Sequence, residues 1–248
     1  MITRSLLERL TDFDTALLAN TIGYIDPTPP DQWYMGGMIR SLTPALGPTV
    51  GVAAICEVDT STPDGEPEMD EYYRQLEAFA QSELPIVWVA KTVGSRPEHE
   101  CVMGDGMAKQ LTSVGCIGIV TDGGVRDVDG MLSTSFAAYC RGVVIHHCAL
   151  RVRPARQPVE IGGITVASGD VIHANKEGVI KIPSTCLEQL PERAVAMRAF
   201  EHDVHAQLRR TDISLAAKQQ AVLDMRASLD EANIVHQDQA LRQASGQA

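Results

Sequence analysis

Short apolar runs alternate with helix-like stretches between residues 49 and 146, and this alternation restricts the fold more than any other feature. Two runs, VGVAAICEV (Val50–Val58) and PIVWVAKTV (Pro85–Val93), lack polar alternation and are bounded by turn residues. Such runs are typical of strands buried on both faces. The segment between them, Glu66–Ser82, carries apolar residues at helical spacing, which predicts a helix. Strands alternating with helices predict an α/β arrangement.

The same alternation continues through the next fifty residues. Gly104–Val114 reads as a loop that runs into a helix, and Gly118–Val120 as the end of a third strand. We predict a further helix over Val128–Tyr139 and a fourth strand over Gly142–His146.

Both ends of the chain have a different character. The first 20 residues place leucines at helical spacing, which predicts two short helices, and the chain beyond Leu187 is again helical. After Pro154, short β-branched runs split by turn dipeptides predict a β-meander. We therefore expect a layered α/β/α-type core with a β-meander and a helical C-terminal tail. Residues 1–190 would form one α/β domain and residues 191–248 an extension that could pack on a neighbouring subunit.

Composition and charge exclude several classes of partner. Asp and Glu outnumber Lys and Arg by 32 to 21, a net charge of −11, so a broad basic face for nucleic acid is not expected. No apolar run approaches the roughly 20 residues of a membrane helix, and the N-terminus does not read as a signal peptide. The six cysteines form no CxxC pair, so we expect reduced thiols in a cytoplasmic protein.

Two glycine-rich segments, Gly104-Asp105-Gly106-Met107-Ala108 and TDGGVRDVD at 121–129, combine the residue types of an anion and metal site. Where a loop enters a helix, backbone N–H groups such as those of Gly106 and Met107 lack helical partners and suit a carboxylate or phosphate. Arg126 offers a planar fork for an oxyanion, and Asp127 a hard oxygen ligand for Mg²⁺ or Mn²⁺. The alternative reading, a helix N-cap and a surface ion pair, stays open from these residues alone.

These two segments, with Asp105 separated by twenty residues from Arg126-Asp127, resemble the RraA-like family. That family includes the 4-hydroxy-4-methyl-2-oxoglutarate, or class II pyruvate, aldolases. A later segment, PVEIGGITVASGDVIHANKEGVIKIP (Pro158–Pro183), is similar to the hairpin region of the same family. The resemblance extends from Leu42 to Pro183 and implies a swivelling β/β/α-like fold.

The resemblance also implies roles for individual residues. Asp127 would bind the divalent cation directly and Asp105 would hold it through water. Arg126 would contact the carbonyl or enolate oxygen of a 2-oxo acid, and the backbone of Gly104–Met107 would hold its carboxylate. Arg126 and Asp105 are thus the expected catalytic residues. Family members assemble as trimers or hexamers and borrow a Glu from a neighbouring subunit, for which Glu201 is the candidate.

We therefore expect a divalent-metal-dependent lyase that cleaves a C–C bond of a 2-oxo or 3-oxo acid through a metal-stabilised enolate. A 4-hydroxy-2-oxo acid aldolase with oxaloacetate decarboxylase activity fits best. The alternative is a non-catalytic, ribonuclease inhibitor-like protein of the RraA type; such a protein has no need of Asp105, Arg126 and Asp127 together. A Schiff base at Lys91 is a less favoured route that the sequence leaves open.

Overall fold

The computed structural model describes residues 1–244, with side chains up to residue 229. Its α-helices are α1 (Arg4–Leu10), α2 (Thr15–Ile25), α3 (Asp70–Ala80), α4 (Asp105–Ser113), α5 (Val128–Ser133), α6 (Leu190–Arg209) and α7 (Leu215–Ala244). Its strands are β1 (Arg40–Ser41), β2 (Thr49–Asp59), β3 (Ile86–Thr92), β4 (Cys101–Met103), β5 (Cys116–Thr121), β6 (Gly124–Val125), β7 (Ala137–Cys140), β8 (Gly142–Val143), β9 (Arg151–Pro154), β10 (Val159–Ile161), β11 (Ile164–Val166), β12 (Val171–Asn175) and β13 (Gly178–Ile182).

The main sheet has the strand order β1-β7-β5-β3-β2-β12-β13. Strands β2, β3, β5 and β7 are parallel, whereas β12 and β13 join as an antiparallel hairpin on the first half of β2. The second half of β2 pairs with β9. The sheet curls until its edge strands β1 and β13 approach each other, which makes a nearly closed barrel.

A second, three-stranded sheet continues the main one. Its parallel strands β4, β6 and β8 lie in the same order as β3, β5 and β7, from which each of them follows along the chain. The break is only Asp122–Gly123 between β5 and β6, and Arg141 alone between β7 and β8. Strands β5 and β7 of the main sheet are therefore interrupted briefly and continue as β6 and β8 in the small sheet. The candidate site lies at the carboxyl edge of the small sheet.

Three apolar clusters hold these layers together. Side chains such as Val87, Val120 and Ile172 fill the inside of the barrel. Helices α3, α4 and α5 cover one outer face over a cluster that contains Trp88, while α1, α2 and α6 cover another. Burial of this apolar area is the main favourable contribution to folding.

The predicted fold class is confirmed, and so are the strands predicted at Val50–Val58 and Pro85–Val93, which are β2 and β3. The helix predicted over Val128–Tyr139 is wrong in its second half. Helix α5 ends at Ser133, and Ser135 takes a left-handed backbone conformation with φ of 55°. The following residues form β7, where small Ala137 fits directly against Gly118 of β5.

Three smaller differences concern lengths and pairings. The strand predicted over Gly142–His146 is only β8, in the small sheet, and the helix predicted over Glu66–Ser82 is the shorter α3. The predicted β-meander is two separate hairpins, because β10 and β11 form their own sheet and β12 pairs with β2 instead of β11. Hydrogen bonds to β2 therefore decided a pairing that turn residues alone could not.

The C-terminal helices begin as expected, and α6 packs against α2 of the same chain through Ala194 and Met197. The division into residues 1–190 and 191–248 stays a prediction; its last four residues, 245–248, lie outside the described part. The six cysteines are free thiols, and five of them are buried. Within the described residues, no helix has the length and apolar character that crossing a membrane requires.

Candidate active site

The two glycine-rich segments meet at the carboxyl edge of the small sheet. Strand β4 ends at Met103, β6 ends at Val125, and the two residues are register partners. The amide of Arg126 donates to the carbonyl of Met103 at 3.0 Å. Adjacent strands lie about 4.8 Å apart, so residues twenty positions apart in the chain are brought side by side. Helices α4 and α5 both begin at this edge.

Two glycines allow the segments to approach so closely. A Cβ on Gly104 would lie 2.6 Å from Asp127 Oδ2 and 3.2 Å from Arg126 Nε. A Cβ on Gly130 would lie 2.5 Å from the Cβ of Asp105. Real Cβ atoms do not sit at such distances, so each glycine leaves room for a charged side chain of the other segment. The sequence pattern predicted Gly104; Gly130 gave no signal of its own.

Asp127 occupies the N-cap position of α5, but its side chain makes no capping hydrogen bond. Its backbone is left-handed, with φ of 57° and ψ of 44°, a conformation that Asp tolerates better than most residues. The carboxylate is half-exposed and lies against Gly104 instead of the helix amides. The alternative prediction of a helix N-cap is therefore correct for the position of Asp127. It does not explain why the carboxylate makes no capping hydrogen bond.

Arg126 holds an unsatisfied donor. Its Nε is buried without a hydrogen-bond partner, the one such side-chain atom among the residues whose side chains are described. Asp127 Oδ2 is 3.6 Å from Nε, beyond hydrogen-bond distance, while Nη1 makes a long contact of 3.4 Å to the carbonyl of Ile145. A buried unpaired donor costs about 1–3 kcal/mol. A ligand oxygen at this position would recover that free energy.

Asp105 is the first residue of α4, and Gly104 takes the N-cap position. Lys109 Nζ lies 2.6 Å from Asp105 Oδ2, one helical turn along. The hydrogen bond from Lys109 is the main reason that the pKa of Asp105 is lowered, with smaller contributions from the Gly106 amide and the Arg126 charge. Asp105 is thus ionised at neutral pH. Lys109 was not among the predicted site residues.

The first turn of α4 opens toward a ligand. Space around the Cα of Gly106 is open, with no atom within 4 Å of a Cβ placed there. Its amide and that of Met107 belong to the turn whose N–H groups have no carbonyl partner within the helix, and the Gly106 amide contacts the carboxylate of Asp105. The helix dipole adds positive character at this end. The anion cradle, meaning the backbone amides of Gly106 and Met107, stays a prediction from the sequence; these amides begin the helix that Asp105 starts.

The donor set suits a hard divalent cation. Asp105 and Asp127 offer carboxylate oxygens, which Mg²⁺ and Mn²⁺ prefer, and Mg²⁺ commonly binds through one or two carboxylates while keeping several waters. No group of three or more His, Cys, Asp or Glu side chains within the described residues has the geometry of a metal site. A cation here would complete its coordination with water, substrate or a group from another chain.

Two further predicted residues lie elsewhere. Glu201, on α6, accepts a hydrogen bond from Asn20 Nδ2 at 2.7 Å and lines a cavity of about 210 Å³ between α2, α6 and α7. Its contacts are therefore with α2, not with α4 or α5 of its own chain. Lys91, at the end of β3, is paired with Asp122, whose other oxygen accepts hydrogen bonds from Thr92.

Comparison with known proteins gives concordant results. A family model described as RraA-like, Aldolase/RraA, matches residues 35–181. The crystal structure of RraAS2 from Streptomyces coelicolor, an unusual member of the RNase ES inhibitor RraA protein family, superposes with a TM-score of 0.64 at 19% identity. That match covers 82% of this chain and 97% of the other. At this identity it supports the fold alone.

Two curated relatives match shorter segments. Protein DlpA of Legionella pneumophila is 31% identical over 105 residues, 42% of this chain and 17% of that protein. The "Putative 4-hydroxy-4-methyl-2-oxoglutarate aldolase" of Halalkalibacterium halodurans is 32% identical over 95 residues, 38% of this chain and 44% of that protein. The chain thus aligns with less than half the length of either relative.

Proposed function

The chain belongs to the RraA-like family, and from that premise we propose that it is a divalent-metal-dependent lyase acting on a 2-oxo acid. A 4-hydroxy-2-oxo acid aldolase with oxaloacetate decarboxylase activity fits best. The observation that carries the proposal is the unpartnered Nε of Arg126 beside two carboxylates, Asp105 and Asp127, that do not cap their helices. Lys109 donates to Asp105, but the Asp127 carboxylate does not cap α5 and Arg126 Nε has no hydrogen-bond partner.

Substrate binding is assigned to the first turn of α4 and to Arg126. The amides of Gly106 and Met107 would receive the carboxylate of the 2-oxo acid, with the helix dipole favouring the negative charge. The guanidinium of Arg126, whose side chain is 34% exposed, would donate to the 2-oxo oxygen. A divalent cation, when bound by Asp127 directly and Asp105 through water, supplies further positive charge to that oxygen.

Bond cleavage follows from the same arrangement. When the C3–C4 bond of a 4-hydroxy-2-oxo acid breaks, its electron pair moves toward C3 and charge develops on the 2-oxo oxygen, which Arg126 stabilises. The 4-hydroxyl group loses its proton and becomes the carbonyl of the second product. Asp105, ionised and solvent-accessible, is positioned to accept that proton through a water molecule. In decarboxylation of oxaloacetate, CO₂ leaves instead and no hydroxyl proton has to move. In both reactions the enolate then takes up a proton at C3 to become pyruvate, and water at the site would deliver it.

Assembly is part of the same proposal. We expect a homotrimer or homohexamer in which Glu201 of one subunit could reach the site of the next. The support is that no group of three or more candidate metal-ligating side chains is found among the described residues, and that Glu201 contacts Asn20 of α2 in its own chain. Light scattering should show an oligomer; a stable monomer with full activity would refute this part.

A coupled assay for pyruvate release tests the activity. The purified protein is screened with 4-hydroxy-2-oxo acids and oxaloacetate, with Mg²⁺, with Mn²⁺ and with EDTA. Asp127→Ala is compared with Asp129→Ala, an exposed acid in the same first turn of α5. We expect EDTA and Asp127→Ala each to abolish turnover, and Asp129→Ala to leave it within about twofold.

Other outcomes would separate the alternatives. Full activity in excess EDTA would refute the metal-dependent route and favour an imine at Lys91. Borohydride would trap such an imine in the presence of substrate. Inactivity on every oxo acid, combined with inhibition of a ribonuclease, would favour the RraA-type regulatory function.

A further inference from the structure

Strand β4, which leads into the helix that carries the amides of Gly106 and Met107, is preceded by a buried carboxylate, Glu100. The proposed mechanism does not use this carboxylate. Strands β6 and β8 are held close to the main sheet because only Asp122–Gly123 and Arg141 separate them from β5 and β7. Strand β4 follows β3 only after an excursion from Val93 to Glu100. Chain connectivity therefore restrains β4 less than it restrains β6 and β8. The position of β4 beside β6 then depends on the hydrogen bonds that Glu100 makes.

Glu100 is fully buried and saturated with hydrogen bonds. Its Oε2 accepts from the amide of Thr60 at 2.8 Å and from its hydroxyl at 2.6 Å, while Oε1 accepts from Ser61 Oγ at 2.9 Å. Its own carbonyl accepts from the amide of Gly124 at 2.8 Å. One residue thus joins the end of β2, the start of β4 and the start of β6.

The partners of Glu100 are themselves fixed. Asp59 accepts hydrogen bonds from the amides of Ser61 and Thr62, and Arg151 of β9 pairs with Asp59 at 3.1 Å. Gly94 packs so tightly here that an added Cβ would lie 1.9 Å from Glu100 Oε1. The excursion after β3 is therefore held tightly at Gly94, whereas residues 95–99 are exposed.

Burying a carboxylate is costly, and its hydrogen bonds offset that cost without making it a strong source of stability. A more specific consequence follows from position. Three residues beyond Glu100, Met103 accepts the amide of Arg126, and Gly104 then opens the cradle. A shift of β4 along β6 would move the cradle relative to Arg126, and displacements of about 1 Å can cost 10²-fold in rate.

We propose that Glu100 is a positioning residue that sets β4 against β6, and so fixes the distance between the amides of Gly106 and Met107 and the guanidinium of Arg126. The proposal rests on the proposed lyase function for its kinetic consequence, but not for its structural one. It also gives a role to Thr60 and Ser61, which follow β2 and donate hydrogen bonds to Glu100.

The test uses Glu100→Gln, which keeps the shape and replaces one acceptor oxygen with a donor, and Ser61→Ala, which removes one donor. The matched control is Thr15→Val, which breaks the buried hydrogen bond of 3.0 Å between Thr15 and His173 on another face of the barrel. All are compared with the wild type in the full-length protein. Should Glu100→Gln fail to fold, Ser61→Ala carries the test.

Hydrogen exchange supplies the readout that needs no activity. We expect Glu100→Gln to reduce protection of the Gly124 and Arg126 amides by at least tenfold, with α2 unchanged. Thr15→Val should reduce protection in α2 and leave that of the Gly124 and Arg126 amides unchanged. Unchanged protection at Gly124 and Arg126 in both Glu100→Gln and Ser61→Ala would overturn the proposal, whatever the enzyme does.

Kinetics supply the second readout, with oxaloacetate as substrate. Misplaced cradle amides should raise KM at least tenfold, while kcat falls less because Arg126 and Asp127 remain together between β6 and α5. Thr15→Val should lower Tm without changing either constant. A lower Tm in Glu100→Gln with wild-type KM and kcat would reduce Glu100 to a structural residue. If the wild type itself has no lyase activity, the proposed function fails while hydrogen exchange still decides the role of Glu100.

Discussion

The acids at the site and the acids beside the end of β2 are in opposite environments. Asp105 and Asp127 follow the small-sheet strands β4 and β6, whereas Asp59 ends β2 and Glu100 directly precedes β4. Asp127 and Asp105 have side chains that are 50% and 32% exposed, and neither caps its helix. Asp59 and Glu100 are buried and accept several hydrogen bonds from the protein. The second pair has its acceptors filled by buried groups of the fold. In the first pair, Asp105 accepts only from groups in its own helix, and Asp127 does not cap α5.

The difference teaches how to separate structural from functional charges at a strand end. A carboxylate whose donors all come from its own chain adds to specificity of folding. Beside Arg126 Nε, which has no hydrogen-bond partner, and the first turn of α4, the fold leaves hydrogen-bonding capacity unused. Free energy not recovered in folding can be recovered on binding a ligand. Substitutions in the two regions should therefore change different measured quantities.

The largest effect is expected in the buried region. Asp59→Asn would leave Arg151, only 5% exposed in its side chain, without a charged partner. Breaking a buried pair in this way costs about 3–5 kcal/mol in the free energy of unfolding. Urea denaturation measures it, and the double variant Asp59→Asn/Arg151→Met should recover part of the loss. A loss below about 1 kcal/mol would mean that the ion pair between Asp59 and Arg151 contributes little to the free energy of unfolding.

A buried base should make stability depend on pH. Burial, the largest cause, lowers the pKa of His173 to about 4, although its hydrogen bond to the carbonyl of Leu10 acts in the opposite direction. The unfolded chain binds a proton near pH 6.5 and the folded chain does not, so stability falls as pH decreases from 6.5 to 4. The loss approaches about 3 kcal/mol. Denaturation across that range should show a slope that His173→Gln flattens; equal slopes would contradict this origin.

At the site, activity should change while stability does not. Arg126→Lys loses the planar fork and should lower kcat by about 10², with metal affinity little changed. Asp127→Asn should weaken metal binding first, and excess Mn²⁺ should partly restore the rate. Arg141→Lys, on the neighbouring step between β7 and β8, is the control. Rescue of Arg126→Lys by metal, without rescue of Asp127→Asn, would reverse the two assignments.

The smallest effect concerns the ion pair between Lys109 and Asp105. An exposed pair of this spacing is worth only a few tenths of a kcal/mol, so Lys109→Gln should hardly alter stability. Because Lys109 competes with a cation for Asp105, its loss should tighten Mn²⁺ binding about two- to fivefold. Mn²⁺ titration measures this directly, with Lys176→Gln on the β12–β13 turn as control. Weaker binding in Lys109→Gln would indicate that this lysine supports the site.

Several features of the fold and site could be predicted from sequence because their causes are local. Apolar runs identified β2 and β3, and glycine followed by Asp105 identified the start of α4. The α5 prediction failed where Ala137 and Ala138 favour helix by propensity. Their burial beside Gly118 in the sheet overrides that preference. Tertiary packing, not local preference, thus decided β7.

The sequence by itself determined which residue types were available at the site: two acids, one arginine and the glycines that flank them. Only the tertiary structure decided that β4 and β6 are neighbours, because strand order depends on pairings between distant segments. It alone left Arg126 Nε buried without a partner and gave Glu100 its donors from the end of β2. Spacing along a chain carries no information on which polar groups remain unsatisfied once the chain has folded, since every neighbour contributes to that balance.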